Sequence, residues 1–224
     1  MRLKYAPMFI VLLLLAVNIL NVYAAEYKAP LKKGDELKYK VLKATGEFSK
    51  IDDKEVKEGD IIKYVVTDVK TSEYGGDKYD VVVVDVYLND EKVESDVEYM
   101  GGIYTPVFPS IYLYTDDKWI EDNVIKPCKD AGLTVEGSGG NIKVSGTYKY
   151  EVPFLNISME YEVSYEFKDY ILTYYHIKYE EEGKTNELEM KLQKFPWVWV
   201  GVGVAIVVIV IVVVFFLFKK KTPA

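Results

Sequence analysis

The stretch that decides the fold is residues 155–167, which read LNISMEYEVSYEF. Large apolar side chains occupy every second position, and Asn, Ser or Glu fills the positions between them. Successive side chains of a strand point to opposite faces of a sheet, so this alternation predicts a long strand with one buried and one solvated face. Such a strand is typical of an antiparallel sheet, because parallel sheets are buried on both faces.

Two further strands are predicted directly after this one. Asp169-Tyr170 is expected to turn the chain into a strand at 171–180, and Glu182-Gly183 into another at 185–194. Three long strands joined by short turns predict an antiparallel meander.

The N-terminal half repeats the pattern, with strands predicted at 36–43, 61–70, 78–88 and 92–100. Gly75-Gly76-Asp77 and Asn89-Asp90 supply the residues that tight hairpin turns favour. Apart from Asp80 and Asp85, residues 79–88 are apolar on both faces and predict a central strand. The fold class is therefore all-β, and an antiparallel β-sandwich and a half-barrel both fit the pattern.

The periodicity breaks between Gly101 and Gly140. Glycines at 101–102 and prolines at 106, 109 and 127 argue against a long regular element, and one or two helical turns are predicted within 116–123. An irregular excursion on a rigid sheet is a common place for binding residues. The alternative is a cap that closes the open end of the sheet.

Residues 1–24 have the pattern of a secretory signal peptide. Arg2 and Lys4 form a positive beginning, an apolar run follows at 8–17, and Val22 and Ala24 are small residues at the positions that precede a cleavage site. We predict cleavage after Ala24. The alternative is an uncleaved N-terminal anchor.

Residues 197–218 contain no charged residue over 22 positions. At about 1.5 Å rise per residue this length crosses the roughly 30 Å hydrocarbon core of a bilayer as a helix. Aromatic rings before and at its start and the lysines after it predict a single-pass protein of type I topology, with a cytoplasmic tail at 219–224. The predicted membrane-anchor residues are Trp197, Trp199, Lys219, Lys220 and Lys221.

The extracytoplasmic domain between these ends, residues 25–196, is strongly acidic. It holds all 35 acidic residues and 23 of the 28 basic ones, and this balance argues against nucleic acid as a partner, since phosphate contact needs a basic face. Cys128 is the only cysteine, so an intramolecular disulfide is impossible, and Gln193 is the only glutamine. Abundant Lys and Glu with scarce Gln and Cys is typical of hyperthermophiles and predicts an archaeal cell surface. A mesophilic bacterial protein with an acidic surface is the alternative.

Few residues of the domain point to catalysis. His176 is the only histidine, so His-based zinc sites are excluded, and a Cys128–His176 pair is the one thiol–imidazole combination the chain permits. We expect a structural role for His176, and a buried or intermolecularly bonded Cys128. No phosphate-binding loop or nucleophile elbow occurs. We therefore predict no catalytic, metal or cofactor site.

Two surface features remain. Acidic clusters at 116–122 and 52–60 lack the spacing of a calcium loop, so counter-ion attraction is a better interpretation than a specific site. Asn156-Ile157-Ser158 is an N-glycosylation sequon on the polar face of its strand, which makes Asn156 a candidate glycosylation site.

Two resemblances follow from these patterns. The order of signal, β-rich domain, single helix and lysine stop resembles that of uncharacterised archaeal single-pass cell-surface proteins. The octapeptide that begins at Gly34, GDELKYKV, is similar to the first strand of extracytoplasmic half-barrels of the lipoprotein-carrier type. That second resemblance implies a concavity that binds lipid. A related octapeptide, GDIIKYVV, begins 25 residues later at Gly59 and indicates shared turn-and-strand chemistry.

Three functions fit the sequence. The first is a non-enzymatic, membrane-anchored binding module that contacts envelope protein, glycan or lipid. The second is a half-barrel that binds lipid or a small ligand. The third is an envelope hydrolase with paired carboxylates. A filled sheet interior favours the first, an empty apolar cavity the second, and an acid-lined groove the third.

Overall fold

The computed structural model describes residues 25–152 and 157–193. They are mostly β, as the sequence predicts. The strands are β1 (Glu26–Tyr27), β2 (Glu36–Thr45), β3 (Lys50–Ile51), β4 (Lys54–Glu55), β5 (Ile61–Tyr74), β6 (Asp77–Leu88), β7 (Glu91–Met100), β8 (Ile103–Thr105), β9 (Phe108–Pro109), β10 (Thr134–Ser138), β11 (Asn141–Val152), β12 (Ile157–Lys168), β13 (Ile171–Glu181) and β14 (Lys184–Leu192). The helical parts are a 3₁₀ turn (Gly46–Ser49), α1 (Asp117–Ile120), a π-helical turn (Glu121–Ile125) and α2 (Lys126–Asp130).

Ten strands form one sheet in the order β1-β6-β5-β2-β14-β13-β12-β11-β10, with β7 also paired to β6. All pairs are antiparallel except β1 with β6. The sheet curls into a half-barrel, so the half-barrel is the observed member of the two predicted architectures. In the middle of the sheet β2 pairs with β14, and Val41 lies opposite Met190. This pairing joins the N-terminal and C-terminal halves of the sheet.

The predicted turns are confirmed by left-handed backbone conformations. Positive φ angles occur at Asn89 and Asp90, at Asp169 and Tyr170, and at Glu182. Such residues match the twist of the strands that they join. The seven predicted strands correspond to β2, β5, β6, β7, β12, β13 and β14. Seven strands were not predicted from the sequence: β1, β10 and β11 of the large sheet, and the short pairs β3–β4 and β8–β9.

The two Gly-Asp octapeptides lie side by side. Gly34 N donates to Val66 O at 2.8 Å, and Gly59 N donates to Val41 O at 2.9 Å, so each turn pairs with the strand that the other turn begins. The two glycines have φ angles of +92° and +93°, which favour glycine. The repeat is therefore a local two-fold pairing of β2 with β5, which agrees with shared turn-and-strand chemistry.

The concave face of the half-barrel is covered by the chain itself. Residues 107–133 cross it and pack into one core with the inner side chains of the strands. Backbone bonds fasten this segment to the start of β13, since Leu172 N donates to Ile111 O at 3.0 Å and Leu113 N donates to Tyr170 O at 2.8 Å. The buried residues between Ile111 and Leu133 therefore favour the cap interpretation of this excursion, while Phe108 remains 41% exposed.

The helical part of that cap is longer than predicted. Helix continues from Asp117 to Asp130 and includes Pro127, so the expectation that Pro127 excludes a regular element there was wrong. Proline is tolerated in the first turn of an α-helix, where its missing N–H has no partner to lose, and Pro127 lies in the first turn of α2. The π-helical turn Glu121–Ile125 comes directly before α2 and has a different hydrogen-bond spacing.

The chain divides into two compact units, residues 1–192 and 193–224. The half-barrel belongs to the first unit. Of the second unit, the structure describes Gln193 alone. The predicted signal peptide with its cleavage residue Ala24, the membrane segment with Trp197 and Trp199, and the lysines at 219–221 lie outside the described residues. Within residues 25–152 and 157–193, none of the helices has the length and apolar character to cross a membrane.

Candidate binding surface

Tyrosine hydroxyls hold the cap against the sheet. Tyr112 Oη donates to Asp80 O at 2.8 Å, and Tyr175 Oη donates to Val107 O at 3.0 Å. Burial raises the pKa of both phenols, since the charged form would lose its hydration. Tyr112, Leu113 and Tyr114 are fully buried. The middle of the concave face is thus a packed core.

One end of the same face remains open and aromatic. We define the aromatic ledge as Phe108, Tyr148, Tyr150, Met159 and Tyr161. Tyr148 lies opposite Tyr161, and Tyr150 opposite Met159, in the β11–β12 pair. Tyr150 is 47% exposed and Phe108 is 41% exposed, and the other three are partly exposed.

Contacts within the ledge set its shape. The Phe108 ring lies edge-on to Tyr161 with centroids 6.4 Å apart, so β9 contributes the side of the ledge opposite the sheet. Tyr161 Oη donates to Met159 Sδ at 3.1 Å. Offset and edge-on aromatic pairs stabilise such clusters by about 0.5–1.5 kcal/mol each.

The ledge rests on a more buried aromatic layer. Tyr161 contacts Tyr179 with centroids 5.2 Å apart, and Phe48 lies edge-on to Tyr179 at 5.9 Å. Tyr179 Oη donates to Glu47 Oε2 at 2.6 Å. Burial and the Glu47 carboxylate raise the pKa of Tyr179 above its ordinary value. A carboxylate therefore lies at the edge of an otherwise aromatic surface.

The ledge was missed because β11 was missed. Tyr148, Tyr150 and Val152 alternate with Lys149 and Glu151, which is a period of two that could have identified this strand. The pairing of β11 with β12 could not be read from either segment alone.

Charged side chains cover the convex face of the sheet, and His176 lies among them. Glu187 accepts from Lys43 Nζ at 2.7 Å and lies 3.2 Å from His176 Nε2. The Lys43 ammonium, and then His176, hold the pKa of Glu187 below its ordinary value against the opposing effect of burial. His176 therefore has a structural partner, as expected.

Cys128 lies on the other side of the sheet from His176. Its thiol is 3.2 Å from Tyr165 Oη in the buried core, whereas His176 lies opposite Ser164, the neighbour of Tyr165 on the other face. Adjacent residues of a strand point to opposite faces. Because the sheet separates the two side chains, Cys128 and His176 do not contact each other. Cys128 is a buried side chain.

Acidic groups of the convex face line an open depression with Thr147, Ser158 and Lys178, and its carboxylates come from Glu160, Glu162 and Glu180. The side chain of Glu160 is 61% exposed and lies 3.3 Å from Lys149 Nζ. A glycosidase acid depends on a buried setting. This depression does not provide one.

The predicted acidic clusters have structural partners. Asp116 accepts from Trp119 N at 2.7 Å and caps α1, while Asp117 accepts from Tyr170 Oη at 3.1 Å. Asp60 accepts from Lys57 N at 2.8 Å in its turn. Among the described residues, His, Cys, Asp and Glu side chains form no group of three that could hold a metal ion.

The sequon lies partly outside the described residues. Asn156 is not described, and Ser158, its third residue, is exposed in β12. Glycosylation of Asn156 stays a prediction.

No protein-family model matches this chain, and no curated protein or solved structure matches it. The class of the molecule is thus defined by its fold alone. It is a curled antiparallel half-barrel whose own chain fills the concave face and leaves one aromatic end open.

Proposed function

We propose that this protein is a non-enzymatic binding module of the cell envelope, which is held by a C-terminal membrane helix and binds an envelope protein on its aromatic ledge. The observation that carries the proposal is the exposure of Phe108 and Tyr150 beside Tyr161. Contiguous apolar surface on a soluble domain marks interaction sites. Tyrosine, phenylalanine and methionine are also enriched in the centres of protein interfaces.

A packed interior supports a binding module over a lipid carrier. A carrier needs an apolar cavity of several hundred Å³ to enclose its ligand. The concave face instead contains Leu113, Ile120 and Val124, each fully buried against the strands. Removing this segment would expose the core of the domain.

Exposed carboxylates favour a binding module over a hydrolase. Paired catalytic acids work at a fixed separation in a site that shields one of them from water. Glu160 lies on the convex face and is exposed to solvent. The aromatic ledge is on the opposite face of the same strand, which separates this acidic depression from the proposed binding surface.

The proposed location follows from the ends of the chain. The predicted membrane segment begins at Trp197, five residues after β14 ends at Leu192, so only a short tether joins the domain to its anchor. Export by the signal peptide would place the domain outside the cytoplasm. Partners of the ledge are then other components of the envelope.

The test uses the full-length chain in its native membrane. Reversible crosslinking followed by quantitative mass spectrometry of the captured proteins, glycans and lipids would compare wild type with a Phe108→Ser/Tyr150→Ser double variant. We expect one protein to be captured by wild type and its recovery to fall at least about ten-fold in the double variant, since interface aromatics contribute about 1–2 kcal/mol or more each.

The matched control is Tyr74→Ser. Tyr74 is 78% exposed at the β5–β6 turn and lies on a different part of the sheet. It should leave recovery unchanged. Equal recovery of the partner by the double variant would contradict the ledge as the binding surface. A glycan or a stoichiometric lipid, captured without protein, would contradict a protein partner.

A further inference from the structure

Ala25, the residue that follows the predicted cleavage site, makes hydrogen bonds through both its backbone nitrogen and its carbonyl oxygen. Ala25 N lies 3.0 Å from Asp77 Oδ1, and Lys78 N donates to Ala25 O at 2.8 Å. Asp77 begins β6 at the tight turn that follows β5. Ala25, the first residue that cleavage after Ala24 would leave, is therefore hydrogen-bonded to the start of β6 directly before β1.

The next residues complete an edge of the sheet. β7 pairs with β6 as far as Val81, and β1 continues that edge in the parallel direction, with Glu26 opposite Lys78 and Tyr27 opposite Tyr79. The ring of Tyr27 stacks on that of Tyr79 with centroids 4.9 Å apart. Processing that removed β1 would therefore leave the edge of β6 at Lys78 and Tyr79 unpaired.

Further contacts fasten the same segment. Thr115 N donates to Lys28 O at 3.0 Å, and Ala29 N donates to Asp80 Oδ2 at 3.1 Å. Tyr27 also packs against Tyr114 and Trp119 of the cap. Residues 25–29 are thus part of the folded domain.

We propose that the bond between Ala24 and Ala25 is hydrolysed during export and that Asp77 binds the α-ammonium group so released. A peptidase of the export pathway adds water across the bond, so that Ala24 ends in a carboxylate and the Ala25 nitrogen becomes an ammonium at neutral pH. An amide nitrogen donates one hydrogen bond, whereas an ammonium carries a charge and three donors. The 3.0 Å contact with Asp77 then becomes an ion pair.

The surrounding charges define what this pair does. The charged residues on the strands around the new terminus are Asp77 and Lys78 of β6 and Glu26 of β1, and Lys28, which follows β1, has its Nζ 2.6 Å from Glu26 Oε1. An opposite charge within hydrogen-bond distance favours the charged form. The α-amine is therefore expected to keep its proton above the ordinary range of about 7.7–8.0.

This inference rests on the export that the proposed function requires, and its first test isolates it. The full-length chain would be expressed in a host that exports it, and its N-terminal peptide identified by mass spectrometry. The expected peptide begins AEYKAPLK with a free α-amine. A terminus at any other residue overturns the proposal and leaves the ledge experiment unaffected.

The second test measures the amine in the processed full-length protein. Its acylation by dilute acetic anhydride, followed on the N-terminal peptide across a pH series, gives the apparent pKa. We expect Asp77→Asn to lower that pKa by roughly half a unit or more, and Asp77→Glu to restore part of the difference. The matched control is Asp130→Asn, an exposed aspartate at the end of α2. Equal pKa values in wild type and Asp77→Asn would overturn the ion pair.

Discussion

The hydroxyl of Tyr39 in β2 donates a 2.8 Å hydrogen bond to the carbonyl oxygen of Leu172 in β13, 133 positions further along the chain. β14 lies between these two strands in the sheet, so the bond crosses a whole strand on the concave face. Tyr39 is fully buried, and Leu172 is 2% exposed. The contact ties the first long strand of the chain to the C-terminal meander.

Removing this hydroxyl is expected to destabilise the domain. Tyr39→Phe keeps the ring and leaves the buried carbonyl of Leu172 without this donor, which costs about 1–2 kcal/mol. The measurement is the free energy of unfolding of the full-length protein, from urea titration followed by circular dichroism. Tyr104→Phe removes a hydroxyl from a residue that is 57% exposed and should change the value by less than about 0.5 kcal/mol. Equal losses in the two variants would contradict a specific role for the Tyr39 bond.

The thiol of Cys128 is expected to be protected in the folded protein. Burial raises its pKa, while the hydrogen bond with Tyr165 acts in the opposite direction and is weaker. Because the thiolate is the reactive form, a maleimide or disulfide reagent at pH 8 should modify the native protein at least about 100-fold more slowly than the urea-unfolded chain. Rapid labelling of the native protein would show that the core around Cys128 opens readily.

Acid is expected to weaken the contribution of Glu187. Its pKa is lowered in the folded state, chiefly by the hydrogen bond from Lys43. A lowered folded pKa gives stability that is present above the ordinary glutamate range and is lost as the pH falls through the folded value. The excess in unfolding free energy of wild type over Glu187→Gln should thus be largest near pH 6–7 and shrink below about pH 4.

The control for this series is Glu136→Gln, since Glu136 is an exposed residue of β10. It should leave the pH profile of wild type unchanged. An excess for Glu187 that stays constant down to pH 3 would mean that the carboxylate contributes through packing and not through its charge.

The N-cap of α1 should depend on an oxygen at position 116. Asp116 accepts from Trp119 N at 2.7 Å, so Asp116→Ala removes the side-chain hydrogen bond at the N-terminus of α1. We expect this to cost about 1 kcal/mol of unfolding free energy. Asp116→Asn retains an acceptor oxygen and should cost less than half as much. Urea titration of both variants makes the comparison. Equal losses would indicate that the charge near the helix end matters more than the hydrogen bond.

Much of the fold could be predicted from local sequence. Alternation over residues 155–167 predicted β12, and the tight turns at Asn89-Asp90 and Asp169-Tyr170 were predicted from their composition. These features depend on neighbours in the chain, because side-chain alternation and turn conformation are properties of a few consecutive residues. β10 and β11 were missed, even though the alternation in β11 was available to the same reasoning.

The candidate site was not predicted, because its parts come from distant elements. Phe108 reaches Tyr161 only when the cap lies across the sheet, and Tyr150 joins them only when β11 pairs with β12. The Gly-Asp repeat was visible in the sequence, whereas the pairing of its two copies was not.

The sequence by itself determined the all-β class, the turns between neighbouring strands, the acidic surface and the prediction of a secretory signal and a membrane helix at the ends. The tertiary structure alone decided that β2 closes on β14, that residues 107–133 fill the concave face, and that Cys128 and His176 lie on opposite sides of the sheet. The physical reason is range. Periodicity and turn chemistry are set by adjacent residues, whereas the closure of the sheet and the filling of its interior depend on which distant apolar side chains bury the most surface together.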